Sequence, residues 1–154
     1  MKFDMPESIA IQRQAVISEA LSWEWTPFVW HASVKGESGG CDCGQLLKAA
    51  FAVIGINAIL PEYSTQFFLH SGDELYIRAV EQYCIPVPHP EPGDTVLFQM
   101  GMAYGHAGIV IQWPKIIHAH GKSKYVQQAD ALTDPELGWR DKLFHSPKQW
   151  HGAK

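Results

Sequence analysis

The sequence predicts an α+β domain in which N-terminal helices pack on a mostly antiparallel β-sheet. Three observations lead there. Helical apolar spacing is confined to the first half of the chain, and short strand signals fill the second half. The proline-rich stretch IPVPHPEPGD, Ile85 to Asp94, separates the two. The 154 residues suffice for one domain with its own core, and no internal repeat is visible. A single unit over residues 1–154 is therefore expected, with its core at about 7–145 and a loosely held tail, HSPKQWHGAK.

From Glu7 to Trp23, the residues Ile9, Val16, Ile17, Ala20 and Leu21 alternate with polar ones as on an amphipathic helix. Thr26-Pro27 ends that pattern, because proline disfavours helical geometry in the residue before it. Trp23, Trp25, Phe28 and Trp30 then fall in irregular backbone, and SVKGESGG reads as a flexible approach to the cysteines. A second helix starts at Cys43, where Leu46, Leu47, Ala49, Ala50, Phe51, Val53 and Ile54 surround nearly the whole circumference. Such a helix belongs in the centre of the domain. A third is expected from Gly72 to Gln82, capped by Ser71 with Glu74 three residues later. Strands are predicted over Thr95–Met100, His106–Gln112 and Lys115–His120, with weaker signals at Tyr125–Ala129 and Asp141–His145.

A formal net charge of -4 and scattered cations weigh against nucleic acid as the main partner. No run reaches the roughly 18 apolar residues of a membrane span. MKFDMPESIAIQRQ lacks the apolar core of a signal peptide, so synthesis in the cytoplasm is expected, with release by lysis or packaging into a particle left open. Cys41, Cys43 and Cys84 are odd in number, and the first two are too close to close a useful loop. Free thiols fit better than a disulfide framework.

A thiol at the first turn of a buried helix meets unpaired N–H groups and the positive end of the helix dipole, which favour the thiolate. Asp42 is a natural cap, and Gly44 leaves room beside the sulfur. Cys43 is therefore the candidate nucleophile and Cys41 a packing residue. A thiolate needs a base. Along the strands, His106 and Gly108 share one face, as do His118 and His120. A hairpin centred on Gln112 sets His106 opposite His118, whereas one centred on Trp113 sets it opposite His120. Either register builds a relay in which one imidazole takes the thiol proton and another orients it. His70, His89, His145 and His151 are expected in solvated loops or the tail, and His31 in a cleft wall. Zinc ligation by Cys41, Cys43, His118 and His120 matches no common spacing, so neither metal nor cofactor is expected.

The stretches TPFVWHAS, GGCDCGQL, EPGDTVLF, YGHAGIVI and KIIHAHG, in this order, resemble the NlpC/P60 family of cysteine peptidases, and more closely its phage-tail-associated branch. The resemblance implies a papain-like fold and a Cys-His-His triad, with Cys43 as nucleophile, His106 as base and His118 as orienting residue. It implies hydrolysis of cell-wall peptide stems through a thioester, typically beside a γ-linked D-glutamyl residue. The partners it implies are the peptidoglycan stem and, for tail-borne relatives, other phage tail proteins. Trp25, Phe28, Trp30, His31, Asp42, Gly44 and Gln45 are expected to line the substrate cleft. Two features depart from the family pattern. Phe28 stands where a tyrosine usually helps the oxyanion site, a loss of about 3 kcal/mol unless His31 or Trp30 substitutes. Gln45 stands where a glycine is usual and narrows the groove. A catalytically weak tail-assembly or wall-binding module, and an amidase or acyltransferase using the same thiol, are the alternatives.

Overall fold

Two antiparallel sheets organise the chain in a computed structural model, which describes residues 6–64 and 72–152. The smaller is a ribbon of β1 (Ser33–Val34) and β2 (Gly40–Cys41). The larger has six strands: β3 (Cys84–Val87), β4 (Thr95–Gln99), β5 (Tyr104–Gln112), β6 (Lys115–His120), β7 (Tyr125–Asp130) and β8 (Lys142–Pro147). Their spatial order is β3-β8-β4-β5-β6-β7, and every neighbouring pair is antiparallel. The helices are α1 (Pro6–Leu21), α2 (Cys43–Ala52) and α3 (Leu75–Val80). The α+β expectation holds, with the helix-first, sheet-later arrangement of a papain-like NlpC/P60 fold.

Period-two alternation along the central strands sorts side chains into two cores. Ala107, Ile109, Ile117 and Ala119 pack against Leu46, Leu47, Ala50 and Phe51 of α2 and against Val16 and Ala20 of α1. On the other face Val96, Phe98, Val110 and Ile116 gather with Ala131 and Leu137. Helix α2 packs between α1 and the sheet through Cys43, Gly44, Leu46, Leu47, Ala50 and Phe51, with Cys43 as its first residue. It is not buried all round: it ends at Ala52, and Ala52 and Val53 are exposed.

Several expectations change. SVKGESGG is a hairpin rather than a free linker, because it returns the chain for β1–β2 pairing. Part of the proline-rich stretch becomes β3, at the edge of the sheet, where Pro86 leaves no ladder donor missing from the interior. Helix α3 begins at Leu75, not Gly72, and Glu74 caps it without a side-chain bond. The Glu74 carboxylate instead accepts the Tyr104 N–H at 2.9 Å. Ser71 and His70 lie outside the described residues.

Over its described residues, 145–152, the tail is anchored rather than loose. β8 runs to Pro147, a 3-10 turn covers Lys148–His151, and Trp150 is buried under the Arg13 guanidinium, 4.3 Å from the ring centroid. His145 is buried, with Nε2 3.0 Å from Glu81 Oε2, and His151 Nε2 lies 2.8 Å from Ser146 Oγ. Asp94 of the PGD turn explains the anchoring. It accepts from Arg13 Nη1 at 3.0 Å, from the Glu91 N–H at 2.8 Å and from the Ser146 hydroxyl. These partners sit far apart in sequence, so local polarity misreads the tail.

Candidate active site

Asp42 sets the start of α2. Its Oδ1 accepts the Gln45 N–H at 2.9 Å, and its Oδ2 accepts the His31 N–H at 2.7 Å and the Tyr63 hydroxyl. The left-handed backbone of His31, φ 66°, helps turn that N–H toward the carboxylate. Asp42 is buried, so both oxygens serve the helix start and its surroundings. Replacing Asp42 with Ala is expected to cost about 2–4 kcal/mol, combining a lost N-cap with stranded donors. Urea denaturation checks this, and Asp42→Asn is expected to recover part of the loss.

Cys43 is 4% exposed. The Tyr76 hydroxyl donates to its sulfur at 2.8 Å, and the Ala107 N–H and its own N–H also reach it. Burial pushes the thiol up to about 12; the Tyr76 hydroxyl opposes this, and the Asp42 carboxylate adds to it. The expected depression of the thiol is therefore not found. Desolvation of the anion outweighs the helix terminus, because the tip is packed under other side chains rather than open to water.

The Ala107 N–H fixes the thiol against β5 at the residue following His106. His106 Nε2 lies 2.7 Å from His118 Nδ1, and both rings are buried. Neither of the two registers describes this contact fully. Ile109 pairs with Ile117 and Val110 with Ile116, which is the Trp113-centred register. Continued, it sets His106 across from His120 and Gly108 across from His118, yet the hydrogen bond runs diagonally from His106 to His118. Gly108 makes room for the lean: a Cβ there would lie 3.3 Å from His118 Cβ and 3.1 Å from Ile116 Cδ1. His120 stacks on His118 with centroids 4.9 Å apart. Burial, then the neighbouring imidazoles, hold His106 well below the usual histidine range, and burial followed by His120 does the same for His118.

Gly108→Ala is accordingly expected to destabilise the fold by about 1–3 kcal/mol through overpacking. It should also displace the His118 ring from His106. The imidazole proton signals in NMR check the second effect, and denaturation the first.

One cavity adjoins the thiol, and a second shares Leu60, Pro61 and Tyr63 with it. A slot of about 30 Å³ is lined by Cys43, Trp30, Gly44, Leu60, Tyr76 and Gly105 among others. An open groove of about 880 Å³ is lined by His31, Gln45, Lys48 and Tyr63, among others. Among the described residues, no group of three or more His, Cys, Asp or Glu is arranged to hold a metal ion.

Residues 25–146 match the NlpC/P60 family, most of the chain. The chain belongs to that family. Probable endopeptidases of Mycobacterium tuberculosis and Mycobacterium bovis are 29% identical over 119 residues, 77% of this chain and 26% of theirs. The chain thus spans about a quarter of the length of these curated relatives. Among solved structures, the peptidoglycan hydrolase RipB of M. tuberculosis superposes with a TM-score of 0.61 at 18% identity, covering 92% of this chain and 67% of its own. RipD of the same organism, described as a non-catalytic NlpC/P60 domain adapted to peptidoglycan binding, gives 0.57 at 16% identity over 88% and 96%. At these identities the likeness concerns the fold.

Within this NlpC/P60 fold the expected cleft residues divide. Trp30, Asp42 and Gly44 line the slot, and His31 and Gln45 line the groove. Trp25 and Phe28 are not among the lining residues of either cavity. Trp25 is half exposed with its ring edge-on to Tyr125, and Phe28 packs beside Trp30, centroids 5.1 Å apart. The NlpC/P60 site also contains two tyrosines that sequence reasoning missed. Tyr63 binds the cap carboxylate, and Tyr76 binds the sulfur from 33 residues away. An aromatic residue on a short predicted helix reads as core, and no local pattern marks its hydroxyl.

Proposed function

We propose that the chain is a cysteine peptidase of peptidoglycan stem peptides, with Cys43 as nucleophile, His106 as base and His118 as the residue that orients it. The observation that carries this reading is the 2.7 Å contact of His106 Nε2 with His118 Nδ1, one residue from the backbone group that holds the thiol. Among the described residues no hydrogen bond joins the Cys43 sulfur to His106, whose ring packs beside Phe98. His106 Nδ1, the nitrogen not bonded to His118, must therefore come within reach of the thiol when substrate enters. The sulfur then attacks an amide carbonyl, His106 returns the proton to the departing amine, and a thioester remains. Water, deprotonated by His106, releases the acid and restores the thiol. Membership of the family, and the hydrolase and endopeptidase descriptions of its relatives, support this choice of substrate. Cleavage beside a γ-D-glutamyl residue, and delivery by a phage or phage-like tail after synthesis in the cytoplasm, rest on the sequence motifs alone.

One observation favours a second reading, a wall-binding module without turnover. The slot beside the sulfur holds little more than a water-sized group, and the thiol is nearly sealed. Digestion of purified peptidoglycan, read by mass, separates the two. The peptidase reading expects new muropeptide masses from the native chain and none from Cys43→Ala. Retention of native protein on the wall without new masses would favour the binding module.

A further inference from the structure

Resting on that reading, we propose that Tyr76 is a catalytic residue whose hydroxyl, supplied from α3, holds the Cys43 sulfur as an anion. Tyr76 reaches the reacting atom directly, with Oη 2.8 Å from Sγ.

The local design is consistent with that contact. Gly44 follows the cysteine, and a Cβ on it would stand 3.2 Å from the Tyr76 Oη, so a side chain there would crowd the hydroxyl. Leu75 and Ala79 of α3 line the same slot, which places the ring's own helix against the sulfur. Burial, then the neighbouring thiol, push the phenol well above its ordinary range, so the hydroxyl donates and does not give up its proton. A hydroxyl on a neutral thiol makes a weak bond. On a thiolate the bond is charge-assisted and roughly twice as strong. The contact therefore strengthens as the Cys43 proton moves to His106, which is the condition for lowering a barrier rather than merely binding. Together with the Ala107 and Cys43 N–H groups, three donors face a sulfur that burial otherwise keeps neutral. Tyr76 keeps its proton throughout; the thiol proton passes to His106 and then to the amine as the C–S bond forms and the C–N bond breaks.

Alkylation by iodoacetamide, localised to Cys43 by fragment mass and followed against pH, tests the contact without any substrate. Tyr76→Phe is expected to slow alkylation at neutral pH roughly tenfold and to move the profile to higher pH. Gly44→Ala should reproduce part of that shift, and the double variant should add little to Tyr76→Phe. Cleavage of wall fragments by Tyr76→Phe should lose kcat with KM nearly unchanged. Equal or faster alkylation in folded Tyr76→Phe overturns the proposal, even where the native chain digests peptidoglycan. A slowed, shifted profile in a chain that never digests it sustains the hold on sulfur and defeats the peptidase reading instead.

Discussion

Cys43→Ala is expected to abolish peptidoglycan cleavage, by about 10⁴-fold or more, while the fold survives. The catalytic half of this expectation follows from covalent chemistry: without sulfur no thioester forms, and the imidazoles have no partner to deprotonate. The structural half follows from what the sulfur touches. Removing one atom from a core of Leu46, Leu47 and Phe51 leaves a cavity smaller than most large-to-small changes. The larger cost is the Tyr76 hydroxyl, which loses its acceptor at 2.8 Å. A stranded buried donor costs about 1–3 kcal/mol, so denaturation should show a modest loss and unchanged cooperativity. Cys43→Ser, which keeps an acceptor for Tyr76, is expected to be more stable than Cys43→Ala and similarly inactive. Undiminished cleavage by either variant removes Cys43 from the mechanism.

The contrast between Cys43 and its neighbours shows what the sequence made legible. The thiol at a helix start, the cap at Asp42, the three main strands and the shared face of the histidines all follow from short-range pattern: cap chemistry and period two. They hold because those features answer to neighbours a few residues away. The electrostatics of the thiol do not. A helix tip favours the anion in isolation, but whether water reaches that tip depends on Tyr76, Leu60 and Gly105, brought from three other segments. The hairpin register illustrates the same limit at finer scale. Counting residues offers His118 or His120 across from His106, and the ladder selects one while the hydrogen bond selects the other. A glycine across the strand decides it, by leaving space for a diagonal contact. The tail fails for the opposite reason: HSPKQWHGAK is locally polar, yet Trp150 and Ser146 find Arg13 and Asp94 at long range.

Buried neutral imidazoles make the site acid-sensitive, and His118 is the place to measure it. Burial lowers His106, His118 and His120 in the folded protein, whereas in the unfolded chain each titrates near 6.5. Below about pH 6.5 the unfolded state therefore binds protons that the folded state refuses. Stability is present in full above that pH and falls as the pH drops toward the depressed folded values, by about 1.4 kcal/mol per pH unit for each imidazole that stays neutral. In the upper part of this limb, above about pH 5.5, the change belongs chiefly to the histidines, because unfolded carboxylates take up protons mainly below that pH. The denaturation midpoint of the native chain in urea should accordingly fall across that window. His118→Leu should flatten the slope by one imidazole's share, because the aliphatic chain fills much of the ring's volume but neither titrates nor accepts from His106. The same variant is expected to cut turnover about 10²- to 10⁴-fold, since His106 then lacks the partner that supports its charged form. The two readouts separate orientation from packing. A variant that loses turnover with an unchanged acid slope would mean that His118 is not held neutral, and a flattened slope with full turnover would mean that it packs beside His106 without assisting it.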